Sequence, residues 1–443
     1  MNEMWKEGKF VEATNIDTFM YRSSKYRKII NEIELKEACV EYLTSEDIPF
    51  DETEMEPLNT ITLLAKYMIK EKKVAIDKFN NIFANTMTYT CSNIFLEKIE
   101  QDITDEKIES CFANLIENVN KLAVTVDQYE RMEKTGFNML DFVATREQNK
   151  LIFPVLEYDS EKIKMMCIID YYNSSVSEYK VCTVEISRTA KSVTFFINGS
   201  TGSFKIINAN NELITSPTSF FQFIKGFVGK RLNLKYESRN TKYQEEREKI
   251  YIFCNKLNQG MLSDFSAELD LALKKVLNNQ ITRIVTRLRK INPRVTLNKD
   301  SREDVYRKIF DTYLGQFITS GFTEVDLKEK ALENGLSCYP TNISFTGQEL
   351  AKGKARARKK EVPLAFEKVF FSLNADLENA KKLEEVTIAW FDSNFFKHRK
   401  ETDVSQTTIT INKNYFRITM KNTVNKNKRM TEFVEKRIRE ILD

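Results

Sequence analysis

The chain has 443 residues, of which 42% are hydrophobic and 30% are charged, with only 12 glycines and 7 prolines. Because this length exceeds the size at which one hydrophobic core usually stops growing, we expect more than one domain. The scarcity of glycine and proline excludes collagen-like and linker-rich organisation, and it argues against folds built on glycine-rich nucleotide loops.

The cysteines and the hydropathy pattern bear on the cellular location of the protein. Seven cysteines are scattered singly, without a C-x-x-C pair, which is typical of reduced intracellular thiols rather than of a disulfide framework. The N-terminus lacks the apolar core of a signal peptide, and no apolar run is long enough to span a membrane. We therefore expect a soluble, cytoplasmic protein without a membrane partner.

Charge is distributed unevenly along the chain. Residues 1–150 contain 19 Lys and Arg against 28 Asp and Glu, whereas the net charge of the whole chain is +4. The remaining residues therefore have a net charge of about +13, and this asymmetry favours a polyanion partner for the C-terminal half. The acidic N-terminal part is expected to contact a protein partner, and the protein is expected to be part of a larger assembly.

The periodicity of apolar residues predicts an α+β fold with four segments. Residues 1–147 are expected to form an acidic helical domain and residues 148–217 an antiparallel β-sheet domain. Residues 218–345 are expected to form a basic helical bundle, and residues 346–443 a small α/β unit with a basic N-terminal arm.

The first segment is predicted to be mainly helical. Apolar residues recur at helical spacing between Leu58 and Phe83, and Thr104 can cap a helix that runs to Lys134 and stops at Gly136. The period then changes, because five short β-branched and aromatic runs between Leu151 and Thr215 are separated by turn residues. These runs predict a central antiparallel meander, with its clearest hairpin signal at Asn198-Gly199.

A helix is predicted from Leu262 to Ile291, where apolar residues recur every three or four positions. Ser263 can cap its N-terminus, and Pro293 would end it near Asn292. The predicted apolar face includes Ile284, Leu288 and Ile291.

Two further helices and a mixed C-terminal region follow. Ser301 is expected to cap a helix that stops at Gly321, and Thr323 to cap another that ends at Asn334-Gly335. Residues 367–373 are predicted to form a strand, with Asn374 capping the helix after it. A strand at residues 387–396, a hairpin around residues 412–414 and a final helix from Met430 to Leu442 complete the chain.

Two cationic stretches are the candidate nucleic-acid-binding surfaces. Arg283, Arg287 and Lys290 lie on one flank of the predicted helix, since positions three and four apart are neighbours. The second stretch has six positive residues in nine, with no acid: Lys352, Lys354, Arg356, Arg358, Lys359 and Lys360. Several Lys and Arg on one face bind phosphates without sequence preference, so the leading hypothesis is non-enzymatic, sequence-nonspecific binding of DNA or RNA.

Two alternatives remain open at this stage. One is a metal-dependent nuclease, or another phosphate-processing enzyme with Asp and Glu ligands only, for which Asp170 and Glu185 on adjacent predicted strands are the candidates. Ser187 stands where such a nuclease motif needs its lysine, and His398 is the only histidine, so no metal, cofactor or catalytic residue is predicted. The other alternative is a non-catalytic adaptor or structural subunit.

Overall fold

The computed structural model describes residues 30–107, 151–152, 155–158, 161–173, 176–198, 206–207, 213–214, 216–347, 352–396, 399–421 and 427–443. The chain divides into two compact units, Met1–Glu237 with Lys426–Phe433 and Ser238–Asn425 with Val434–Asp443. Each unit combines helices with antiparallel strands, which confirms the α+β fold class. The division into four independently folding segments stays a prediction.

Short helices contribute much of the apolar core of the first unit. They are α1 (Glu32–Ser45), α2 (Glu52–Met55), α3 (Ile61–Lys66), α4 (Ile76–Tyr89) and α5 (Pro217–Arg231). Side chains of Asn31, Asp51 and Thr60 accept hydrogen bonds from the first-turn amides of α1, α2 and α3. Asn, Asp and Thr are preferred N-cap residues for this reason. The predicted helical stretch from Leu58 to Phe83 thus holds two helices, with a π-helical turn between them.

The strands of the first unit confirm the antiparallel meander. They are β1 (Asn93–Lys98), β2 (Leu151–Ile152), β3 (Val155–Tyr158), β4 (Lys162–Asn173), β5 (Val176–Ser187) and β6 (Ser192–Asn198). Their order is β1-β6-β5-β4-β2, and β3 also pairs with β4. Two short strands, β7 (Ile206–Ile207) and β8 (Leu213–Ile214), pair separately.

Some predictions for this unit fall outside the described residues. The backbone turn at Thr104 forms, with the Lys107 amide 3.2 Å from the Thr104 carbonyl. The predicted continuation to Lys134 and Gly136 lies outside the described residues, and so does Gly199 of the predicted hairpin. Strand β1 was not predicted.

The helices of the second unit include one that is much longer than predicted. They are α6 (Arg239–Ile291), α7 (Lys299–Gly321), α8 (Glu324–Glu333), α9 (Lys368–Ala380) and α10 (Lys428–Leu442), of which α10 begins in the first unit.

Helix α6 has 53 residues and ends at Asn292 as predicted. Its predicted start at Ser263 is wrong, because the buried apolar pattern continues backwards through Met261, Leu257 and Ile250.

The N-cap of α8 is the predicted one, whereas the N-cap of α7 is a different residue from the one predicted. Thr323 and Asp326 form the predicted reciprocal capping box at the start of α8, and Asn334 ends that helix. Helix α7 ends at Gly321 as predicted, but its N-cap is Asn298, whose side chain accepts a hydrogen bond from the Ser301 amide at 2.7 Å. Asn298, three residues earlier, therefore caps the helix in place of Ser301.

The sheet of the second unit has the order β10-β9-β11-β12-β13 and is antiparallel throughout. Its strands are β9 (Cys338–Thr346), β10 (Lys352–Arg356), β11 (Glu385–Phe391), β12 (Val404–Ile411) and β13 (Phe416–Met420). The predicted hairpin around residues 412–414 is confirmed as β12–β13. Strand β9 was not predicted.

The predicted strand at residues 367–373 is wrong, because these residues begin helix α9. Their aromatic content favours a strand locally, but Phe370, Phe371 and Ala375 are buried at helical spacing. Asn374 is therefore inside α9, where its amide donates to Asp311 at 3.0 Å, and it caps nothing.

Candidate nucleic-acid interface

The distal half of α6 and the first half of α7 form a helical hairpin. Three residues at i, i+4 spacing on α6 form its buried seam, namely Leu277, Ile281 and Val285. Across the seam, Tyr306 of α7 donates to Asp270, and Arg302 donates to Thr282. Among the described residues, the side-chain hydrogen bonds and ion pairs of α6 beyond Asp270 reach only α7, α6 itself or the loop between them.

The end of this hairpin is surrounded by solvent. From Thr286 to Asp300 every residue is exposed except Val295 and Leu297, which are half-buried. We call residues 283–299 the hairpin tip.

The predicted apolar face is partly wrong at the hairpin tip. Ile284 is 50% exposed, Leu288 is 42% exposed and Ile291 is 82% exposed, whereas Val285 is buried in their place. The reason is geometrical: a seam that steps by four residues drifts around a helix of 3.6 residues per turn.

The hairpin tip is strongly cationic. It contains six positive residues and no acid: Arg283, Arg287, Arg289, Lys290, Arg294 and Lys299. Arg283, Arg287 and Lys290 are all exposed on one stripe of α6, as predicted from their spacing. Within the described parts of the chain, none of these three forms an ion pair.

Cations nearer the base of the hairpin differ from those at the tip. Lys274 lies 3.1 Å from Asp270, and Lys308 lies 3.4 Å from Asp304, each across one helical turn. These acids neutralise Lys274 and Lys308 locally, whereas Arg283, Arg287 and Lys290 have no such ion pair in the part of the chain that the structure describes.

The second predicted stretch is not a mobile arm, because Lys352–Arg356 is the edge strand β10. A Cβ at Gly353 would lie only 2.4 Å from the Phe345 ring, so the strand lies directly on that ring. Ala355 is buried on the same side. Alternation along the strand therefore places Lys352, Lys354 and Arg356 together on the opposite face, where all three are exposed.

Two of the six predicted cations here have acidic partners. Arg358 lies over the Phe366 ring, and its Nε is 3.6 Å from a Glu367 oxygen. The Lys359 ammonium is 3.5 Å from Glu324 on α8. Both acids are distant enough in the sequence that neither pairing was predicted.

The register of β4 and β5 separates the two carboxylates of the nuclease hypothesis. Glu185 is opposite Lys164, whereas Asp170 is opposite Tyr179, six residues further along β4. At about 3.3 Å per residue, this corresponds to roughly 20 Å, which is too far for one metal ion to bridge. The Glu185 carboxylate instead forms an ion pair with Lys162 at 3.2 Å. The proposed carboxylate pair is therefore wrong.

Other chemistry-bearing residues give no site in the described part of the chain. No group of three or more His, Cys, Asp or Glu residues there is arranged to hold a metal ion. His398 lies outside the described residues. Six cysteines are buried and unbridged, and burial raises the pKa of Cys39 to about 12, which keeps that thiol protonated and unreactive. None of the described helices is long and apolar enough to cross a membrane.

Comparisons with known proteins give no relative: no family model, no curated protein and no solved structure matches this chain.

Proposed function

We propose that this protein binds nucleic acid through sequence-nonspecific phosphate contacts made by the hairpin tip. The observation that carries the proposal is the exposed stripe of Arg283, Arg287 and Lys290, none of which forms an ion pair in the described residues. Unpaired cations on one rigid face displace the counterions that surround a phosphate backbone, and this displacement is the main source of nonspecific affinity.

The shape of the hairpin favours backbone contacts over base reading. The stripe from Arg283 to Lys290 is about 10 Å long at 1.5 Å per residue, and a duplex presents one negative charge per ~1.7 Å of its axis. Two packed helices are roughly 20 Å across, which is wider than the ~12 Å major groove. The hairpin would therefore lie across the phosphates, and DNA and RNA are both suitable partners.

The experiment compares wild type with a triple variant in which Arg283, Arg287 and Lys290 are changed to Gln. Binding to two unrelated oligonucleotides is measured by fluorescence anisotropy over a range of salt concentrations. We expect both affinities to fall together, and the slope of log K against log salt to decrease by about two to three units.

The matched control changes Lys274 and Lys308 to Gln. These two lysines lie on the same hairpin but are neutralised by Asp270 and Asp304. We expect this control to bind nearly as wild type does. Equal affinities and equal salt slopes for wild type and the triple variant would contradict the proposal.

A second candidate function is that of a protein adaptor, and the exposed apolar residues of the hairpin favour it. Ile284, Leu288 and Ile291 are exposed beside the cationic stripe, and Leu271 is almost fully exposed. Exposed apolar side chains that are grouped on one element are typical of protein contacts. If the triple variant binds nucleic acid as wild type does, whereas Ile284→Ser with Ile291→Ser abolishes a co-purifying protein, the adaptor function replaces nucleic-acid binding.

A further inference from the structure

A second group of cations lies at one end of the second unit's sheet. Lys354 and Arg356 are on the exposed face of β10, Lys360 follows in the next loop, and Lys421 directly follows β13. All four side chains are exposed, and none forms an ion pair within the described part of the chain. We call these four residues the sheet-edge cluster.

One buried residue fixes the backbone of two members of the cluster. The side-chain amide of Gln406 donates to the Lys360 carbonyl and, at 3.1 Å, to the Thr341 hydroxyl. The backbone carbonyl of Gln406 accepts a hydrogen bond from the Lys421 amide at 3.0 Å. Lys360 and Lys421 are separated by 61 positions in the sequence, and Gln406 holds both of them at one place.

The members of the cluster are close enough to repel one another. Partial burial of the exposed Lys421 side chain lowers its pKa, and the positive charges of Arg356, Lys360 and Lys354 lower that pKa further. Glu385 is the acid that opposes this effect. The cluster is thus a preformed concentration of positive charge that a bound anion would relieve.

A buried amide beside the cluster has an unused acceptor. Asn342 is 8% exposed and lies opposite Arg356 in the β9–β10 ladder. Its Nδ2 donates to Glu385 at 3.3 Å, whereas its Oδ1 has no hydrogen-bond partner. Because a buried acceptor without a donor is unfavourable, a ligand with a hydroxyl or amino group would satisfy it.

We propose that the sheet-edge cluster is a binding site for a polyphosphate group that carries a hydrogen-bond donor, such as the diphosphate or triphosphate of a nucleotide. Four cations beside one carboxylate give a local charge of about +3, which matches a polyphosphate better than the single charge of one backbone phosphate. Asn342 Oδ1 is buried, so the side chains that cover this atom must move aside for the donor to reach it while the phosphates lie among the cations. This site does not depend on nucleic-acid binding by the hairpin tip.

Calorimetry with inorganic tripolyphosphate tests the site directly. We expect wild type to bind tripolyphosphate, and Arg356→Met and Lys421→Met each to weaken this binding roughly 10- to 100-fold, as the loss of a charge-assisted hydrogen bond does. The matched control is Lys359→Met, which removes a cation of the same stretch that is already paired with Glu324. This control should bind within about twofold of wild type, since paired exposed cations contribute little.

Proton linkage gives a second measurement on the unaltered protein. An anion among the four cations raises the lowered pKa of Lys421, so binding should take up protons at alkaline pH, where part of this ammonium has lost its proton in the free protein. Calorimetry in two buffers of different ionisation enthalpy measures the uptake. The proposal fails if tripolyphosphate binds without proton uptake, or if it binds equally to wild type, Arg356→Met and Lys421→Met.

The source of the polyphosphate is distinguished by two further ligands. ATP and an oligonucleotide with a 5′-triphosphate are compared with tripolyphosphate, and Asn342→Leu should remove any advantage that the donor groups give them. All binding should persist when the hairpin-tip residues Arg283, Arg287 and Lys290 are changed to Gln, so a failure of the hairpin proposal leaves this result intact. If wild type binds none of the three ligands, the site does not exist.

Discussion

The hairpin tip and the stretch from Lys352 to Lys360 have the same charge in sequence and different surroundings in the structure. Each contains six cations and no acid. The tip is a helical end surrounded by solvent, whereas the second stretch begins as an edge strand held on the Phe345 ring. Glu367 and Glu324 neutralise two cations of the second stretch, whereas Arg283, Arg287 and Lys290 at the tip form no ion pair among the described residues. Charge density alone therefore does not tell which cations are available to a ligand.

The largest expected effect tests whether the hairpin is stabilised only along its seam. Ile281 is 3% exposed in the seam, and Ile281→Ala should lower the free energy of unfolding by about 2 to 5 kcal/mol, because it removes buried methyl groups and leaves a cavity. Ile291→Ala removes the same groups from a solvent-exposed site, so its effect should be about 0.5 kcal/mol or less. Urea denaturation followed by helical circular dichroism measures both.

A large effect of Ile291→Ala would contradict this comparison, since it would mean that the tip is packed against another surface. Local unfolding of the hairpin in Ile281→Ala, detected by faster hydrogen exchange of the α6 amides, would support the conclusion that the seam holds the hairpin together. In that case the order of the tip depends mainly on the packing of the seam.

An intermediate effect tests how firmly β10 is held. Gly353→Val should lower the free energy of unfolding by about 1 to 3 kcal/mol, because its side chain overlaps the Phe345 ring. Gly321→Ala at the end of α7 is the matched control, since a Cβ there meets nothing within 4 Å. Thermal denaturation distinguishes the two. If Gly353→Val is as stable as the control, β10 is a loosely held arm after all.

Local sequence chemistry was sufficient for features that depend on neighbouring residues. The capping box at Thr323, the end of α6 at Asn292 and the β12–β13 hairpin all follow from residues a few positions apart. The start of α6 at Arg239 could not be read in the same way, since Ser263 is a plausible cap that the helix passes through.

Features that depend on distant residues were not predicted. Strand β9 pairs with β10 and β11, and the aromatic residues at 370 and 371 fit a helix because of what they pack against. Three of the four members of the sheet-edge cluster were candidates from the sequence, namely Lys354, Arg356 and Lys360. Lys421 was not, because it joins them only through the sheet and through Gln406. No local pattern in the sequence contains that contact.

The smallest expected effect concerns Lys421 and separates the two cationic surfaces by their response to pH. Partial burial and the charges of Arg356, Lys360 and Lys354 lower the pKa of Lys421 below its ordinary value of 10.5. The folded protein therefore binds this proton less tightly than the unfolded chain, so stability rises with pH between the lowered pKa and 10.5.

At neutral pH, where the ammonium is charged in both states, the repulsion is fully present. Lys421→Met should therefore raise Tm slightly, by less than about 2 °C, as expected for an exposed charge. Above pH 10.5 the gain should disappear. Lys290→Met at the hairpin tip should leave Tm unchanged at both pH values in parallel thermal scans, because this lysine is exposed and forms no ion pair in the described residues. A gain in Tm that is equal for the two variants, or that persists at high pH, would show that Lys421 is not part of a repelling cluster.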